Sequence, residues 1–71
     1  SDVLKPKEVV RILEHLGFQH VRSHGSHQHF RDQGGRHTIV PFHPGSDVEP
    51  GLARRIAKEI GMSFEEFLSY R

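Results

Sequence analysis

His24-Gly25-Ser26-His27-Gln28-His29 sets three imidazoles within six residues around one glycine. An imidazole titrates near pH 6.5, so a histidine in this segment can give or take a proton at neutral pH. Three readings fit the residues. In the first, His27, at the expected junction of a loop and a strand, is a general acid or base for RNA cleavage: it takes the proton of a 2′-hydroxyl or donates one to a leaving 5′-oxygen. Gly25 lets the backbone approach a phosphate, and Ser26 with the neighbouring amides donates to the phosphate oxygens. Arg22 and Arg36 suit the flanking phosphates, which a guanidinium meets through two parallel hydrogen bonds. This chemistry needs no metal and no cofactor. In the second reading His27 and His29, two apart on a strand and so on one face, bind zinc together with His37 or His43. Against it stand the lack of cysteine, of a helical H-E-x-x-H and of any carboxylate in the cluster other than Asp32. In the third, the histidines are exposed strand residues and Gly25 is a turn glycine.

Further proton-transfer groups are available nearby. Counted outward from Gly34-Gly35, His27 lies opposite the stretch from Ile39 to Phe42, so His43 neighbours the loop. His24, His29 and His43 are therefore the secondary candidates. Ser26 as a nucleophile is disfavoured, because adjacent residues on a strand point to opposite faces and no carboxylate is at hand to orient His27.

These residues need a frame, and the flanking sequence describes one. Pro6 suits the first turn of a helix, and Val9, Ile12, Leu13 and Leu16 follow at helical spacing until Gly17 ends the pattern. Phe18 to Ser23 reads as a strand, with Phe18, His20 and Arg22 on one face and Gln19, Val21 and Ser23 on the other; the His24-Gly25-Ser26 loop breaks it. His27 to Asp32 and Arg36 to Phe42 read as an antiparallel pair around Gln33-Gly34-Gly35. Pro41 lacks a ladder donor and belongs near a strand end or edge. A connection through Pro44-Gly45-Ser46-Asp47 and Glu49-Pro50-Gly51 leads to a helix with Leu52, Ala53, Ile56, Ala57 and Ile60 on one face, which Gly61 terminates. Ser63 and Glu66 have the spacing of a capping box before a short last helix carrying Phe64, Phe67 and Leu68. The expected fold is α+β in the order α-β-β-β-α-α, a three-stranded antiparallel sheet with all helices on one face and the other face open for binding.

The whole chain, 71 residues, makes one domain, residues 1–71, too small to enclose a large pocket. With 10 Lys+Arg, 9 Asp+Glu and no cysteine, it has neither a strong overall charge nor a disulfide framework. The charge is uneven: residues 20–43 hold Arg22, Arg31 and Arg36 against Asp32 alone, together with six of the seven histidines. A central segment that is basic, and more so below about pH 6.5, suits an anionic partner, nucleic acid first among them. Apolar runs are too short for a membrane helix and no secretory leader is visible, so no membrane partner and a soluble cytoplasmic location are expected. Phe30, Phe42 and Tyr70 could stack bases on a sheet platform, but core packing has first claim on the aromatics: Phe18, Phe30, Phe64 and Phe67 are expected in the core, and Tyr70, at the C-terminal edge, is left undetermined.

Taken in order, Leu16-Gly17-Phe18, Gly25-Ser26-His27 with Phe30, Gly34-Gly35, Val40-Pro41 with His43, Pro50-Gly51-Leu52, Gly61-Met62-Ser63 and Glu65-Glu66-Phe67 resemble the HicA family of bacterial toxins over nearly the whole chain. The resemblance implies a fold like the double-stranded-RNA-binding domain. It implies the toxin of a type II toxin–antitoxin pair, a metal-independent endoribonuclease acting on messenger RNA, with the essential histidine of the Gly-Ser-His element falling on His27. It also implies neutralisation by a HicB-type antitoxin that covers the active face, with DNA bound only through the antitoxin. One position departs from the family pattern: His29 stands where an aliphatic residue is common. The alternative to an enzyme is a non-catalytic RNA-binding module of the same fold, with His27 a phosphate ligand.

Overall fold

The computed structural model describes residues 3–43 and 45–71. The elements run α1 (Pro6–His15), β1 (Gln19–His24), β2 (His27–Arg31), β3 (His37–Pro41), α2 (Pro50–Glu59) and α3 (Phe64–Leu68). The sheet is antiparallel throughout, with strand order β1-β2-β3. Pro44, the first residue of the expected connection to α2, lies outside the described residues.

Local sequence accounts for the helix boundaries. Lys5 is extended and Pro6 opens α1, where a missing N–H costs nothing, while the Glu8 carboxylate accepts from the Lys5 amide at 3.0 Å. Both long helices close with the same pair of bonds. Gly17 N–H donates to the Glu14 carbonyl (3.0 Å) and Phe18 N–H to Leu13 (2.9 Å); Gly61 and Met62 do the same to Lys58 and Ala57, both at 3.0 Å. Each pair is a Schellman closure. Ser63 caps α3 by accepting from the Glu66 amide at 3.1 Å.

The apolar stripes of the helices meet the inner face of the sheet. Leu4, Val9, Ile12 and Leu13 from the first part of the chain, Phe30 and Val40 from the sheet, Ala53, Ile56, Ala57 and Ile60 from α2 and Phe67 from α3 form one buried cluster, with Phe18 and Val48 at its margin. Phe64, expected in the core, is half-buried and packs at its edge under the Arg54 guanidinium, 5.0 Å from the ring centre. Among the described residues the one buried polar residue, Thr38, donates to a Glu59 carboxylate oxygen at 2.8 Å, so its hydroxyl keeps a partner. Ahead of α1, Val48 N–H donates to the Leu4 carbonyl at 2.7 Å, and Lys5 pairs with Asp47. That ion pair and the proximity of Glu8 hold the Lys5 ammonium above its ordinary range, the hydrogen bond to Asp47 being the main cause. Among the described residues no helix is long and apolar enough to cross a membrane.

Two local features differ from the sequence reading. Gly25-Ser26 is not a strand-breaking loop but a two-residue turn, and β1 runs on to His24, which pairs with His27. The second difference is a bulge. His20 pairs with Phe30 and Arg22 with His29, so Val21 is the extra residue opposite one step of β2. An unbulged strand would put Arg22 on the same face as His20; the extra residue moves Arg22 to the other face.

Candidate nucleic-acid interface

Phe30, Thr38 and Val40 are buried on the inner face of the sheet, so their strand neighbours occupy the outer one. On β2 these are His27, His29 and Arg31; on β3 they are His37, Ile39 and Pro41, each on the same face as its cross-strand partner. The bulge adds Arg22, opposite His29, and His24, opposite His27. Four of the six central histidines thus share one open face with two arginines. No strand residue is acidic, so nothing on the strands offsets that charge.

The tip of the β1–β2 hairpin carries His27. Gly25 has φ +62 and Ser26 does not have positive φ, the sign pattern of a II′ turn, which requires glycine at its first central position. A Cβ at Gly25 would meet nothing within 4 Å, so the requirement is conformational rather than steric. The Ser26 carbonyl accepts from the Phe42 amide at 2.7 Å, which ties the tip to the chain leaving β3. His24 and His27 close the turn as its last cross-strand pair, and residues so paired hold their Cβ atoms about 5 Å apart.

His29 lies two pair-steps from the tip pair and is half-buried. Its Nδ1 is 3.2 Å from Nε2 of His37, with the ring centres 5.3 Å apart. Partial burial, and then the positive charge of Arg22, His37, His24 and His27, hold the His29 imidazole below its ordinary range. His37 entered the sequence reading only as an alternative zinc ligand. Its place beside His29 follows from antiparallel register counted from the glycine turn, a signal that was available. Among the described residues no three His, Cys, Asp or Glu side chains are grouped to hold a metal ion.

Two expected site residues are not brought to this face. Arg36 sits at the far end of the β2–β3 hairpin, level with Asp32, five residues and about 17 Å from the level of His27. Its Nε donates to Asp32 (2.6 Å), its Nη1 donates to the Ile60 carbonyl at the end of α2 (2.6 Å), and its guanidinium lies 5.1 Å over the Phe18 ring. Asp32 also accepts from the Arg36 amide at 2.7 Å, and these bonds, the side-chain one first, hold its carboxyl below the usual carboxylate range. His43, beyond β3, is exposed and borders a hollow with Pro6, Pro41, Asp47 and Leu52 rather than the row of outer-face histidines. His20 belongs to the inner side, bonded through Nε2 to Ser23 Oγ (2.9 Å) and tilted against Phe30.

An exposed imidazole at the end of a rigid hairpin, flanked by cations and turn amides, can exchange a proton with a bound polyanion. No individual curated protein sequence gives a significant match to the chain. The family model described as the HicA toxin of bacterial toxin–antitoxin systems matches residues 6–62, from the first residue of α1 to just past α2. That span contains the whole sheet and every outer-face residue named above, and it makes the chain a member of the HicA toxin family.

Proposed function

We propose that this HicA-family toxin is an endoribonuclease that cleaves messenger RNA without a metal, with His27 as the general acid or base. The observation that carries this reading is the position of His27 at the tip of a stiff hairpin on a basic, uncovered sheet face. His27 takes the 2′-hydroxyl proton as the 2′-oxygen bonds to phosphorus, or donates a proton to the 5′-oxygen as its bond to phosphorus breaks; the product ends are a cyclic phosphate and a free 5′-hydroxyl. The Gly25-Ser26 turn and Arg22 receive the phosphate. Arg36 is left out of the binding set because Asp32 and the Ile60 carbonyl already engage its donors. His24 and His29 stand close enough to His27 to share the proton traffic; His43 is the weaker candidate. A HicB-type antitoxin would neutralise the toxin in the cytoplasm by covering the open face, and DNA contacts belong to that partner.

One observation favours the non-catalytic alternative, an RNA-binding module: no strand carboxylate stands by to orient His27. A single experiment separates the two. Purified chain and His27→Ala are incubated with a defined single-stranded RNA in EDTA, with folding checked by circular dichroism and binding by filter retention. Cleavage by the wild type only is the expected result. RNA bound by both proteins and cut by neither would leave the binding module, and equal cleavage by both would remove His27 from the chemistry.

A further inference from the structure

We infer that His29 and His37 form a two-imidazole site for one borderline divalent transition-metal ion, of the Ni²⁺, Cu²⁺ or Zn²⁺ class, on the open face of the sheet. The inference does not rest on the nuclease reading. His29 pairs with Ile39 and His37 with Arg31, so the two histidines are diagonal neighbours on adjacent strands whose register is fixed by the backbone ladder. Their facing nitrogens, Nδ1 of His29 and Nε2 of His37, are 3.2 Å apart. Two imidazole nitrogens each about 2.0–2.1 Å from one ion are separated by about 2.9 Å at a right angle and about 3.4 Å at the tetrahedral angle. The observed spacing falls between these values. In the hydrogen-bonded state the two nitrogens face each other; turning each ring by roughly 35° aims both at a common third point, with the separation set by the same metal–nitrogen bond length. Side-chain torsions supply that rotation, since His37 is exposed and His29 only half-buried.

The surroundings select the kind of ion. The three strands bring Arg22, Arg31, His24 and His27 to the same face and no carboxylate, so hard ions such as Mg²⁺ and Ca²⁺, which depend on anionic oxygen ligands, are disfavoured. Ions whose affinity comes from bonding to neutral imidazole tolerate that field better. No third His, Cys, Asp or Glu among the described residues joins the pair, so water completes the coordination shell and the ion remains exchangeable.

The test is a titration of the untagged chain with ZnCl₂ at pH 7.5, followed by calorimetry and by the imidazole resonances in NMR, with MgCl₂ as the comparison ion. The proposal expects saturable binding of one Zn²⁺ per chain, shifts centred on His29 and His37, and no response to Mg²⁺. Affinity should fall by about tenfold or more in His37→Ala and in His29→Ala and stay unchanged in His24→Ala. His37 is exposed, so its variant keeps the test valid if His29→Ala unfolds. Zinc affinity untouched by His37→Ala, shifts centred on the hairpin-tip pair, or no saturable binding would overturn the site. RNA cleavage is not a readout, so failure here and failure of the nuclease reading remain distinct.

Discussion

The His27 side chain is exposed and outside the core cluster, so its removal should separate chemistry from folding. His27→Ala is expected to lower RNA cleavage by roughly 10²–10⁴, the range for a lost general acid or base, with an unchanged melting temperature. His29 behaves differently, because the fold acts on its proton. The folded state resists protonating His29, whereas the unfolded chain titrates near pH 6.5. As the pH falls below about 6.5 the unfolded state therefore takes up the proton first, and stability declines until His29 reaches its own lower titration range. Melting temperature measured from pH 7.5 to 5.0 should drop across that interval, and His29→Asn should flatten the profile. An identical profile in the variant would assign the slope to another group. Asp32 and Glu8 are both held below the ordinary carboxylate range, the latter chiefly by its bond to the Lys5 amide, so their contributions are present at neutral pH and are lost only in more acidic solution.

The bulge at Val21 decides which residues meet on the open face, and it was the element-level feature hardest to read in advance. Alternation from Phe18 assigns Arg22 inward; only the pairing of Arg22 with His29 reveals the inserted residue, since Val21 is β-branched and carries no turn or glycine signal. Features marked by dedicated residues were legible: Pro6 at the start of α1, glycine after α1 and α2, serine before α3, and Pro41 ending an edge strand. The turn at Gly25 was seen as a break, but its two-residue length depends on strand register rather than composition. Deleting Val21 should regularise β1 while keeping Arg22 and His24 opposite His29 and His27. The expected outcome is a folded protein with the same cross-strand backbone contacts in NMR; inversion of the His24 and Arg22 contacts would contradict it. Gly25→Ala, which forces a side chain into φ +62 where no neighbour obstructs it, should cost about 1–2 kcal/mol in denaturant unfolding.

For the molecule as a whole, the helices and core occupy one side of a single sheet, and Arg22, Arg31, His24, His27, His29 and His37 the other. That division was legible from helical spacing and from the basic, histidine-rich middle of the chain; the roles of Arg36 and His43 were not, because each is decided by contacts far away in sequence. Phe67 is fully buried, and Phe67→Ala should cost about 3–5 kcal/mol, comparable to the total stability of a domain of this size, and leave the chain largely unfolded by circular dichroism. The logarithm of RNA affinity should decline linearly with the logarithm of salt concentration, with a shallower slope in Arg22→Ala and an unchanged slope in a folded Arg36→Ala. The Arg36 variant should instead melt lower by roughly 5 °C, the shift expected when about 1 kcal/mol is lost from so short a chain. The Asp32–Arg36–Ile60 staple holds the hairpin at the end away from His27. Substitutions around the tip can therefore accumulate without loosening the scaffold, leaving a lineage of such toxins free to change what it recognises, or to fall silent, while continuing to present a folded surface to its antitoxin.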